Sequence, residues 1–131
     1  LSTKARVAEA RIWRKRYGAG MRQVGILAAA AHYALDNNLG SLIDDHQNAR
    51  ILAETIAAKN SHVINPAKVH TNIVAVNLSS TTWNAAELAA KLKDQGVIAS
   101  ALGPRFLRLV THRDVSEAEI KSAGEIISTL L

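Results

Sequence analysis

The sequence contains no cysteine. That excludes a disulfide framework, thiolate metal ligands and a thiolate nucleophile, although it does not by itself fix the compartment. It also lacks an apolar run long enough to cross a bilayer. The longest, Val24 to Ala31, is alanine-rich and ends at His32. Neither an initiator Met nor a basic-then-apolar leader precedes Leu1-Ser2-Thr3-Lys4, so the beginning reads as cut, by processing or by truncation. The location expected is cytoplasmic. Internal repeats and low-complexity segments are absent. So are a nucleophile elbow, a triphosphatase phosphate loop and a dinucleotide fingerprint. None of His32, His46, His62, His70 and His112 shows the paired spacing or the carboxylate partner that zinc asks for. Trp13 and Trp83 do not make a base-stacking platform.

What is present is a chain of 131 residues, 48% hydrophobic and 21% charged, the size and balance of one globular domain. The net charge is +5, but it is not spread evenly. Residues 1–23 hold seven bases against Glu9 alone, and the remaining 108 residues carry a net −1. A uniformly basic fold is excluded, and the first segment needs its own explanation.

Periodicity divides the chain into a helical first half and a mixed second half. Residues 3–17 read as a basic helix that Ser2 or Thr3 can cap, with Val7, Ile12 and Ala8 as its apolar stripe. Gly18-Ala19-Gly20 breaks it. Met21 to Asn37 reads as a nearly apolar, and therefore buried, second helix. A third helix covers 41–59, with Leu42, Ile43, Ala49, Leu52, Ala53 and Ile56 on one side and Asp44-Asp45-His46 as a solvated face. Val69 to Leu78 alternates like a strand. A helix follows over Asn84 to Gln95, stopped by Gly96. A short strand begins at Val97-Ile98-Ala99, and another runs from Phe106 to Thr111. The last helix reaches about Leu130 and is capped by Asp114 or Ser116, with Ser116 and Glu119 spaced as a capping box.

Two places suit an anion. Gly18-Ala19-Gly20-Met21-Arg22-Gln23 is a flexible turn before a helix start, where free N–H groups and a guanidinium can hold a phosphate; the alternative is a plain loop with a solvated Arg22. In Phe106-Leu107-Arg108-Leu109-Val110, a charge sits inside an apolar strand. Arg108 must be exposed, paired or bound to an anion such as a carboxylate; the alternative is an edge strand from which it snorkels to water. His112 lies one strand end away.

The run from Arg11 to Ala30, with Gly18-Ala19-Gly20-Met21-Arg22-Gln23-Val24-Gly25 at its centre, resembles the low-specificity L-threonine aldolases, which are fold-type I pyridoxal phosphate (PLP) enzymes. Tyr33-Ala34-Leu35, Asp45-His46 with Ala49, Thr71-Asn72-Ile73, and Arg108-Leu109-Val110-Thr111-His112 before Asp114-Val115 match in order. The likeness covers nearly the whole chain. Ala19 departs from the family, which usually has glycine there.

The resemblance implies an α/β fold with an α+β small domain. A helical segment is followed by about three strands flanked by helices, the C-terminal part of an aspartate-aminotransferase-like PLP fold. Residues 1–37 would end the large domain and 38–131 form the small one. By position, Arg22, with Gly20 and Gln23, would bind the PLP phosphate, often across a subunit interface, and Arg108 the substrate carboxylate. Helix 3–17 would lie beside the active-site entrance and a subunit contact. The family's Schiff-base lysine stands in a S-K-G-L-G type motif, and none of the seven lysines here has that setting. PLP would therefore be held by a lysine on an N-terminal large domain, in a homo-oligomer, and this chain alone would be inactive. The implied reaction cleaves L-threonine or L-allo-threonine to glycine and an aldehyde. Two other readings stay open: a non-catalytic interaction module docking through helix 3–17, and a nucleic-acid binder using the same helix. The latter is opposed by the −1 balance elsewhere.

Overall fold

The computed structural model describes residues 2–131. The chain divides into two compact units, Leu1–Leu39 and Gly40–Leu131.

The first unit is a pair of helices, α1 (Lys4–Arg16) and α2 (Gly25–Asn37). Thr3 caps α1, its hydroxyl accepting from the Arg6 N–H at 3.4 Å. Arg14, Lys15 and Arg16 fill the last turn, where cations complement the negative end of the helix dipole. Trp13 stacks on Tyr17, and the Arg16 guanidinium lies 4.9 Å from the Trp13 ring centre. Neither helix buries a single residue. This corrects the expectation of a buried α2: Ile26 is 85% and Tyr33 64% exposed. Two helices alone offer too little surface to cover an apolar stripe. The helix also begins four residues later than its composition suggests, because Gln23 takes a left-handed φ of 48° that no α-helix accommodates. His32 has an i, i+4 carboxylate after all, Asp36 at 3.0 Å.

The second unit is a three-stranded antiparallel sheet with helices α3 (Leu42–Lys59), α4 (Ala85–Asp94) and α5 (Glu117–Leu130). The strands are β1 (Ile73–Asn77), β2 (Ser100–Ala101) and β3 (Phe106–Val110), in the order β1-β3-β2. Ile73 faces Val110 and Asn77 faces Phe106 across one edge of β3, and Ser100 faces Arg108 across the other. An α/β small domain with three strands is thus present. β1 is shorter than its alternating pattern because Val69 is taken by a 3-10 turn over Pro66–Lys68, its N–H bonding the Pro66 carbonyl. β2 starts late because Val97 serves the C-terminus of α4, its N–H reaching the Leu92 carbonyl.

The core lies on one face of the sheet. Val74, Val76 and Leu107 are fully buried and Leu109 nearly so. Leu52, Ile56, Leu88, Leu92 and Ile127 join the same cluster from the three helices. Leu42 and Ile43 are exposed, so the apolar side of α3 begins only at Ala49. Asp45 corrects the solvated-face reading: it is 8% exposed. Helices α3 and α5 touch closely at Gly124, where an added Cβ would stand 2.9 Å from Thr55 Cβ. Around it, Asn60 Nδ2 donates to the Ser128 carbonyl at 3.1 Å and Ser128 Oγ to the Thr55 carbonyl at 3.3 Å. The α5 capping box is complete. The Ser116 N–H and hydroxyl both donate to Glu119 Oε2 at 2.7 Å, and the Glu119 N–H donates to Ser116 Oγ at 3.3 Å.

Two predictions follow from these contacts. Gly124→Val forces overpacking against Thr55 and lowers stability by about 2 kcal/mol, read as a lower urea midpoint with unchanged slope. An unchanged midpoint would contradict the close approach. Second, the Ser116 hydroxyl, then its N–H, hold the Glu119 carboxyl below its usual pKa. A depressed folded pKa means that the cap stabilises above the carboxyl's unfolded pKa and is lost as pH falls through the folded one. Ser116→Ala should return the Glu119 titration, followed by carboxyl NMR shift, toward the ordinary value.

Candidate functional site

Arg108 occupies the middle of the middle strand. With β3 paired on both sides, the edge-strand alternative for Arg108 is overturned. Its neighbours across the ladder are Ala75 on β1 and Ser100 on β2. Both are small, so the guanidinium stem has lateral room. The period of two puts Phe106, Arg108 and Val110 on the sheet face opposite the core. That face is open: Phe106 and Val110 are about half exposed. Arg108 itself is part-buried, and its Nε is buried with no hydrogen-bond partner. A buried N–H without an acceptor is costly, so a ligand oxygen that satisfies it is favoured.

Arg105 provides the contrast. Its Nη1 donates to the Thr81 and Trp83 carbonyls at 3.1 and 3.0 Å, so its fork is used in tying loops together. Three residues on, the Arg108 side chain makes no hydrogen bond or ion pair among the described residues. His112 does not join it. Its Nδ1 lies 3.5 Å from Asp114 Oδ2, and it borders a mostly aliphatic hollow of about 440 Å³ that Arg108 does not line.

The other stretch that suits an anion lies in the other unit and is described by itself. Gly18 has φ 75° and Gln23 φ 48°, so the turn between α1 and α2 is bent at both ends. Arg22 precedes α2 by three residues instead of sitting in its first turn, and it is exposed. No side chain caps α2, which leaves its first N–H groups to solvent or ligand. Gly20 is held close to Lys15: a Cβ there would stand 3.2 Å from Lys15 Cδ and 3.5 Å from its Nζ. The turn thus has a second cation, Lys15, beside Gly20. Sequence reasoning counted Lys15 only as helix charge. The signal that could have found it is its spacing, five residues before Gly20 across a break that folds the chain back.

Residues 1–81 match the family model described as beta-eliminating lyase. The chain is 42% identical over 108 residues to the low specificity L-threonine aldolase of Escherichia coli strain K12, covering 82% of this chain and 30% of that protein. It is 38% identical over 122 residues to an Arabidopsis thaliana protein named "Probable low-specificity L-threonine aldolase 2", covering 92% of this chain and 34% of the relative. Against low-specificity L-threonine aldolase 1 of the same plant, identity is 32% over 115 residues, 87% of this chain and 32% of that one. The chain spans about a third of the length of the curated relatives it matches. With more than half of its residues under that one model, this chain belongs to the beta-eliminating lyase family, and its likeness within it is to low-specificity L-threonine aldolases.

Proposed function

We propose that the chain is the C-terminal part of a PLP-dependent aldolase that cleaves L-threonine or L-allo-threonine to glycine and an aldehyde. The observation that carries this reading is Arg108: a guanidinium on the open face of a central strand, with a buried Nε that has no acceptor. A planar fork in that position suits the carboxylate of an amino acid. In this reading residues 1–37 end the large domain, 38–131 form the small domain, and the remaining large domain supplies the lysine. The protein works as a homo-oligomer.

The turn residues fit a phosphate. Gly20 leaves space that a Cβ would fill, Lys15 lies against it, and the Arg22 side chain has no hydrogen bond or ion pair among the described residues. Arg22, with the Gly20 and Gln23 backbone, would hold the PLP phosphate, and Lys15 would add charge. When bound, PLP supplies the electron sink that Cα–Cβ cleavage requires. Arg108 holds the substrate carboxylate, and so decides which Cα bond is presented for cleavage. The exposed apolar stripe of α2 suits a subunit or interdomain contact, as does the Trp13–Tyr17 stack on α1.

Two substitutions in the enzyme containing the lysine domain test the assignments. Arg108→Ala removes a charge-assisted hydrogen-bond pair worth about 1.5–3 kcal/mol, and so raises the KM for L-threonine about 10- to 100-fold. Arg22→Ala leaves that KM less affected but increases PLP loss on dialysis, followed by cofactor absorbance. Threonine and PLP affinities that both stay at wild-type levels would overturn the two roles and favour the non-catalytic module.

A further inference from the structure

We infer that Asn72 and Thr111 form a polar pin that fixes the register of β3 and thereby holds Arg108 on the open face of the sheet. They are positioning residues for the anion that Arg108 takes, and the inference rests on the carboxylate reading above.

The need for a pin is visible in the strand itself. In Phe106-Leu107-Arg108-Leu109-Val110, apolar residues point to both faces. Leu107 and Leu109 enter the core, while Phe106 and Val110 stand half exposed outside it. Where both faces are largely apolar, alternation specifies register weakly. A slip of one residue exchanges the faces, sending Arg108 into the core. Pairing with β2 adds only two residue pairs, Ser100 with Arg108 and Ala101 with Leu107. The Arg108 side chain has no hydrogen bond among the described residues, so its place comes from the backbone that carries it.

That backbone is anchored just past the end of the strand. Thr111 is 1% exposed and continues the inward face of Leu107 and Leu109. Its hydroxyl donates to the Asp45 carbonyl in the first turns of α3 at 2.6 Å. The other acceptor in reach, the Asn72 carbonyl, is 3.5 Å away and outside the usual O–H···O range. The Thr111 N–H bonds the Asn72 carbonyl at 3.0 Å, one pair beyond Ile73–Val110. The return bond of that pair comes from a side chain: Asn72 Nδ2 donates to the Thr111 carbonyl at 2.8 Å. The residue just after β3 is thus tied to the residue just before β1 by two hydrogen bonds and to α3 by a third. The 2.6 Å bond to the Asp45 carbonyl is made by a short hydroxyl side chain on the core face. After a one-residue slip that place would hold Val110 or His112, neither of which carries a hydroxyl.

The test reads the guanidinium directly. In the ¹⁵N-labelled chain, the Arg108 Nε–H signal, assigned by its loss in Arg108→Lys, should exchange slowly with solvent. Thr111→Val keeps the shape and removes the hydroxyl; it should speed that exchange at least tenfold. Asn72→Ala should do the same, and Thr111→Ser should restore the slow rate. In the enzyme with its lysine domain, Thr111→Val and Asn72→Ala should raise the KM for L-threonine about tenfold, with kcat and PLP retention within about twofold. Lower thermal stability with unchanged Nε exchange and KM would make the pair merely structural and overturn the inference. Should Thr111→Val not fold, Asn72→Ala and Thr111→Ser decide the same question. If Arg108→Ala leaves KM unchanged, the carboxylate reading fails instead. The exchange rates then judge the pin separately.

Discussion

Pairing on both edges of β3 is the constraint from which the rest of residues 40–131 follows. A strand bonded on both sides has satisfied backbone and only two directions left for its side chains. One direction is closed by α3, α4 and α5, and Leu107 and Leu109 fill it. The other is left open, and a charge can stand there without entering hydrocarbon. An edge strand would have let Arg108 bend away to water. The central strand denies it that route, and leaves the buried Nε without an acceptor. The unsatisfied group is a consequence of topology, and topology is what gives it meaning.

Much of this was legible in the residues, for identifiable reasons. The capping box at Ser116 and Glu119 is a local code and is present. Leu88 and Leu92 stand four apart, the helical spacing, and both are fully buried in α4. Arg108 in an apolar strand could be singled out because charge inside alternation is rare. Its strand order could not, since pairing is decided between segments distant in sequence: β1 and β3 are joined only after some thirty residues of intervening chain. For the same reason Asp45 read as solvated. Its carbonyl accepts from the Thr111 hydroxyl, 66 positions away, a contact that no local pattern announces. Helix α2 failed differently. Its composition describes a surface that wants cover, and composition alone does not say what supplies the cover.

The two cationic places are built by opposite means. Arg108 is presented by regular structure, with small neighbours, Ala75 and Ser100, on each side. Arg22 is presented by irregular structure. Its neighbour Gln23 sits at φ 48°, a conformation that costs a side-chain-bearing residue of order 1 kcal/mol. A glycine would avoid that cost, and Gly20 stands only three positions away. The strain therefore sits at the residue that follows Arg22 in the matched run, and not where a permissive residue is available.

The distribution of charge completes this argument. The first 23 residues carry a net +6 and the rest of the chain −1. Some of the positive charge is spent locally: Arg16 lies over Trp13, and three bases face the dipole at the end of α1. A helix that only needed solubility would mix signs along its surface, because i, i+4 pairs of opposite charge stabilise it. α1 has Glu9 as its single acid, and that carboxylate accepts from Trp13 Nε1 at 3.3 Å instead of pairing with a base. The positive field is thus left largely uncancelled at the end of α1 that leads into the Gly20 turn. An anion arriving there meets Lys15 and Arg22 without first displacing a carboxylate, which is the arrangement that favours a phosphate over a neutral ligand.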